Sequence, residues 1–133
     1  MNIITYWTFD MFHIWHLNLL RKCRELAGDD KLIVWVSSDE FNALKKKECI
    51  IPLEQRIEII NALDIADEII IENTREQKAE DIKHYEAQLV IGADWVGKFD
   101  DYWCIYIPRT KDISTTDIKK KVIDLYLKKT ECK

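Results

Sequence analysis

Short apolar runs alternate along the chain with longer stretches of helical spacing. Ile3 to Trp7 reads as a strand. From Ile14 to Leu26, apolar residues fall at positions 17, 19, 20, 23 and 26, the spacing of a helix with one covered face. Leu32-Ile33-Val34-Trp35-Val36 is unbroken and apolar, as a strand covered on both faces requires. Pro52 opens a second helix running to about Leu63, at a place where its missing N–H costs nothing. Glu68 to Ile71 is a third strand. Asn73-Thr74-Arg75-Glu76 reads as an N-cap with a reciprocal glutamate, predicting a helix over 74–86. Leu89-Val90-Ile91 and Ile105-Tyr106-Ile107 are the fourth and fifth strands. Ser114-Thr115-Thr116 caps a last helix with apolar residues at 118, 122, 125 and 126. The order β-α-β-α-β-α-β-β-α predicts an α/β fold: a five-stranded, mainly parallel sheet between two helical layers. A length of 133 residues suits one domain, 1–133, with 128–133 as a frayed tail.

Composition narrows the class. Lys plus Arg is 20 and Asp plus Glu is 24, a net charge of −4, which disfavours a nucleic-acid partner. Hydrophobic residues make up 47% and charged residues 33%, with no apolar run near the ~20 residues that span a bilayer. The start, Met1 to Tyr6, lacks a basic segment, and Asp10 and His13 interrupt any apolar one, so no targeting signal is expected. Cysteines at 23, 49, 104 and 132 form no C-x-x-C pair; free thiols in the cytoplasm are the expectation. Three glycines are few where about nine are usual, and five tryptophans are many.

Ligands of open α/β sheets bind beyond the carboxyl ends of the strands. That rule selects residues 7–16, 37–47, 92–98 and 108–115. In the first window His13 and His16 stand three apart at a helix start, on one face. They either hold an anion, most naturally phosphate, above the helix N-terminus, or divide into a core histidine and a cap. No third ligand stands near enough for zinc. In the last window Arg109, Lys111 and the hydroxyls of Ser114 to Thr116 describe either a second oxyanion cradle or ordinary capping.

The motifs together resemble the cytidylyltransferase family of nucleotidyltransferases, in its glycerol-3-phosphate branch. The family's G-T-F-D matches Trp7-Thr8-Phe9-Asp10, its H-x-G-H matches His13-Ile14-Trp15-His16, and its R-T-x-G-I-S-T-T matches Arg109 to Thr116. Ser38 to Asn42, Pro52 to Arg56 and Gly92 to Asp100 also look like that branch, so the resemblance covers roughly residues 2–125. It implies a Rossmann-like fold, a homodimer, and direct in-line attack of sn-glycerol 3-phosphate on CTP with Mg²⁺. The product, CDP-glycerol, feeds teichoic-acid-type or capsule-type polymers. By matching position, His13, His16, Lys47 and Arg109 are the catalytic residues. Thr8, Phe9, Asp10, Lys45, Gly92, Asp94, Arg109, Thr110, Ser114 and Thr115 bind the nucleotide. Arg56 and Lys47 meet the acceptor, and Asp10 is the candidate metal ligand. The chain departs at glycine positions: Trp7, Trp15 and Asp112 replace family glycines, and Trp35 falls where a small residue is usual. Trp7 and Trp15 are candidate pocket blockers, since an indole buries on the order of 150–250 Å². The alternatives are therefore a working enzyme whose indoles turn aside, the same fold with weakened or lost CTP binding, and a sister enzyme for another phosphorylated alcohol.

Overall fold

A computed structural model describes residues 1–44, 48–74, 76–92, 104–108 and 115–131. Five strands form one sheet: β1 (Ile3–Trp7), β2 (Leu32–Ser37), β3 (Glu68–Glu72), β4 (Gln88–Gly92) and β5 (Ile105–Ile107), in the order β3-β2-β1-β4-β5. Every pairing is parallel, so "mainly parallel" becomes wholly parallel. The helices are α1 (Ile14–Ala27), α2 (Asp39–Leu44), α3 (Leu53–Ala62), α4 (Glu76–His84) and α5 (Thr115–Glu131).

Alternation along each strand splits the core in two. Ile3, Leu32, Val34, Val36 and Val90 face one side, where Leu19, Leu20 and Cys23 of α1 and Ile60 of α3 cover them. Ile4, Tyr6, Ile33, Trp35, Leu89 and Ile91 face the other, against Ile82 of α4 and Tyr85. Trp35 lies in this second layer, fully buried, its ring edge-on to Tyr6 at 4.8 Å. That layer lies across the sheet from α1 and its histidines. Burial of the Cys23 thiol on the α1 side pushes its pKa up to about 12, so it is packing rather than a nucleophile.

Local signals explain most boundaries. Gly28 ends α1 with φ of 59°, and its N–H donates to the Arg24 carbonyl at 3.0 Å. The predicted box at α4 sits one residue later than the sequence pattern suggests. Gln77 Oε1, not Glu76, accepts from the backbone N–H groups of Asn73 and Thr74, at 2.8 and 2.9 Å. With Thr74 as the cap, the third helical position is Gln77, which is where a reciprocal partner belongs. The helix also stops at His84, before Glu86 turns left-handed at φ 49°. Short α2 is an element the sequence reading left out. Ser38 caps it, its Oγ accepting from the Phe41 N–H at 3.0 Å. At the other end of the chain α5 continues to Glu131, so Lys128 and Lys129 are helical rather than frayed.

Asp67 ties the start of β2 to α1. It accepts from the Leu32 N–H at 2.8 Å and from Arg24 at 2.9 Å, and these hold its carboxyl below the usual carboxylate range, the Leu32 bond most. A lowered pKa adds stability above the unfolded value of about 4, lost as pH falls through the folded value. Asp67→Asn should therefore cost about 0.5–1 kcal/mol at pH 7, the small size reflecting an exposed pair. The cost should shrink toward zero near pH 2; urea midpoints of both proteins at the two pH values check it.

Candidate active site

The sheet changes winding direction between β1 and β4, which places the ligand crevice outside the carboxyl ends of those two strands. Trp7 ends β1 and Gly92 ends β4. The turn after β1 carries Phe9 and Met11 in the left-handed region, at φ 57° and 52°, without glycine at either position. Strain of this kind persists only where surroundings over-determine the backbone. Here Phe9 is buried against α1, with its ring 5.4 Å from that of His16.

Asp10 is the pin of that turn. Its two carboxylate oxygens accept the N–H groups of Ile50 and Ile51, at 3.0 and 2.9 Å, and Lys119 stands 3.8 Å from Oδ2. A carboxylate committed to two amides and facing an ammonium does not fit the role of magnesium ligand. Among the described residues no group of three His, Cys, Asp or Glu side chains could hold a metal ion. Asp10 instead fastens the segment entering α3 to the turn after β1.

His13 and His16 lie where α1 begins. The His13 N–H donates to His16 Nδ1 at 3.2 Å, so the neutral imidazole of His16 carries its proton on Nε2. The rings stack with centroids 3.9 Å apart. His16 is buried and His13 only partly so. The first and last sequence windows meet here: Thr115 Oγ1 donates to the Asp10 carbonyl at 2.9 Å and lies 3.3 Å from His13 Nε2. The start of α5 therefore meets the turn that leads into α1. Lys119, one turn along α5, was not singled out from the sequence; its i+4 spacing from Thr115 was the available signal.

Thr8 and Arg56 build the neighbouring wall. Thr8 Oγ1 donates to Asn42 Oδ1 at 3.3 Å. The Arg56 guanidinium is wholly buried and reaches four protein groups. Nε donates to the Ile51 carbonyl at 2.9 Å, NH1 to those of Thr8 and Ser37 at 2.7 Å each, and NH2 to Asp39 at 2.5 Å. Expected at the acceptor, it stands instead as the staple joining the ends of β1, β2 and the α3 entry. Beyond it, buried Glu72 meets Lys78 at 3.1 Å and accepts from Ser37 at 3.2 Å, while Lys78 lies 5.1 Å from the Tyr6 ring centre. No periodicity pointed to that pair.

Trp15 is buried on the α1 side. A Cβ added at Gly92 would lie 2.9 Å from Trp15 Cζ2 and 3.6 Å from Trp7 Cη2, so both indoles converge on this one glycine. Gly92 is needed because they do. Lys45, Lys47, Asp94, Arg109, Thr110, Asp112 and Ser114 lie outside the described residues.

The cytidylyltransferase-like family model matches residues 4–107. The chain is 47% identical over 128 residues to the glycerol-3-phosphate cytidylyltransferase of Bacillus spizizenii, covering 92% of this chain and 98% of that protein. Its identity to the same-named enzyme of Bacillus subtilis is 41%, with equal coverage. Among solved structures it superposes on the lipopolysaccharide core biosynthesis protein of Thermoplasma volcanium with a TM-score of 0.61. That match covers 81% of this chain and 93% of the other at 19% identity, a likeness of fold.

Proposed function

Since the chain belongs to the cytidylyltransferase-like family, we propose that it makes CDP-glycerol from CTP and sn-glycerol 3-phosphate. A phosphate oxygen of the acceptor attacks the α-phosphorus of CTP in line. The bond to the bridging oxygen of the β-phosphate breaks, and pyrophosphate leaves. Such chemistry asks for positioning and charge stabilisation, not a protein nucleophile. The observation that carries this reading is the meeting of Thr115, His13 and His16 at the switch point of the sheet. Donors from two helix starts converge there on one place suited to a triphosphate.

In this reading His13 and His16 donate to phosphate oxygens and steady charge growing on the leaving pyrophosphate. Thr115 and Ser114 cradle the β- and γ-phosphates. Lys45, Lys47 and Arg109 supply cationic donors, and Asp94 and Gly92 border the nucleoside. Mg²⁺ would come with the triphosphate rather than be held by Asp10, whose oxygens already accept backbone amides. Arg56 acts on the acceptor only through the walls it staples. The protein is proposed to work in the cytoplasm as a homodimer. Val122, Ile123, Leu125 and Tyr126 on α5, each more than half exposed, support an association of copies. Among the described residues no helix is long and apolar enough to cross a membrane.

A second reading, the same fold with weakened CTP binding, draws on the indoles packed over Gly92. Pyrophosphate release from CTP, Mg²⁺ and glycerol 3-phosphate decides between them. Turnover that depends on both substrates, and falls when ethanolamine phosphate replaces the acceptor, is the expected result. No release at millimolar substrates would sink the enzyme reading.

A further inference from the structure

We propose that the Trp15 indole is a displaceable stopper: it fills the nucleoside crevice of the empty protein and sets how tightly the nucleotide binds. The inference deepens the function proposed above and rests on it.

Three observations place the stopper. The crevice that the sheet topology assigns to a ligand lies between the ends of β1 and β4, and those ends are Trp7 and Gly92. Trp15 occupies the space against Gly92: it is 1% exposed, and its Cζ2 and Cη2 would stand 2.9 and 3.7 Å from a Cβ there. Trp15 also belongs to the same helical turn as His13 and His16. A nucleotide whose phosphates reach those imidazoles must bring its sugar and base to where the indole now sits.

The indole is not fully at home in that place. Its Nε1–H is buried and has no acceptor among the described residues. Covalent geometry puts Nε1 on the ring edge that also carries Cζ2, the edge turned toward Gly92. A buried donor without a partner forfeits the hydrogen bond that water would give it. Apolar contact holds the ring in, and the orphaned donor weakens that hold. An arriving nucleotide offers sugar hydroxyls and base carbonyls, so the ring that swings aside can complete its missing bond on the ligand. The cost of displacement appears as lost affinity for CTP.

Calorimetric titration with CTP tests this on the whole chain. Trp15→Gly and Trp15→Ala, each checked for folding by thermal melt, should bind CTP about tenfold more tightly than the unmodified protein. In the unmodified protein, the ¹⁵N-labelled indole signal of Trp15 should be slow to exchange when empty and should shift when CTP saturates. That signal is assigned by its absence in Trp15→Phe. Equal or weaker binding by folded variants overturns the stopper, as does an indole signal that saturating CTP leaves in place. The spectrum alone decides if the variants do not fold. If the unmodified protein and the folded variants all fail to bind CTP, the proposed function falls and takes this inference with it. That pattern is distinct from one in which the unmodified chain binds and the variants do no better.

Discussion

Arg56→Ala should lower the free energy of unfolding by about 3–5 kcal/mol, among the largest losses any single change in this chain can produce. The side chain is fully buried, and four hydrogen bonds from its guanidinium serve the carbonyls of Thr8, Ser37 and Ile51 together with the Asp39 carboxylate. Truncation takes the Arg56 donor from the buried Ser37 carbonyl and from the partly buried carbonyls of Thr8 and Ile51, and leaves a cavity where the guanidinium stood. A chain of this length should then melt roughly 10–20 °C lower. Arg56→Lys keeps the charge but offers one nitrogen where three directions are needed, so it should recover less than half of the loss. The distinction from an acceptor contact is measurable. A residue that only touches glycerol 3-phosphate would raise the KM for that substrate and leave the urea midpoint in place. A staple moves the midpoint first, and its effect on turnover follows from the displaced Thr8 and Ser37 walls. Unfolding free energies of the Ala and Lys variants that stay within 1 kcal/mol of the parent would contradict the staple.

Arg56 also shows where reading residues in order stops working. Its letter and neighbours, Glu54-Gln55-Arg56, marked it as important, but whether it faces substrate or core depends on where residues 8, 37, 39 and 51 come to rest. Those contacts span separations as long as 48 positions, and no periodicity encodes them. The strands were legible for the opposite reason. Leu32 to Val36 is apolar at every position, and only a strand sheltered on both faces uses such a run. Most helix ends were legible to within a residue or two, because caps are local chemistry, whereas the end of α5, without a cap signal, lies about four residues beyond the expected one. At α4, Asn73 and Thr74 are both good caps, and the choice between them decides whether Glu76 or Gln77 is the reciprocal partner; contacts pick Gln77. Helix α2 escaped because six residues show no period, although Ser38 ahead of Asp39 and Glu40 was a start signal.

The site was legible as a shared edge and not as contacts. The carboxyl-end rule brought residues 7–16 and 108–115 to one rim, and Thr115 does meet His13. Asp10 was legible as a site residue, but its commitment to the amides of Ile50 and Ile51 was not. Of the surplus tryptophans, Trp7 and Trp15 both approach Gly92. That Trp15 would turn onto Gly92, while Trp35 would pack with Tyr6 on the far face, follows from strand pairing and helix rotation. Composition carries neither.

His13→Ala should reduce kcat by about 10²–10⁴ while shifting the unfolding midpoint little, because removing donors aimed at developing charge costs that much in related chemistry. The His13 ring is partly exposed, lies 3.3 Å from Thr115 Oγ1 and stacks on His16 at 3.9 Å. In the proposed function its loss removes one donor to the phosphates, and a partly exposed ring leaves little buried space behind. His16→Ala should differ in kind. That ring is buried, and its Nδ1 accepts the His13 N–H at the start of α1, so truncation adds a stability loss of about 1–2 kcal/mol to a similar fall in kcat. His16→Asn supplies an amide oxygen to the same N–H and should return much of the stability without the turnover. If the two rings act on one triphosphate, as proposed, the double variant should be barely slower than the worse single variant. Additive losses would mean that the two imidazoles act on separate parts of the reaction. Turnover of His13→Ala within threefold of the parent would remove it from the chemistry and leave it a cap, the plainer of the two roles its spacing allows.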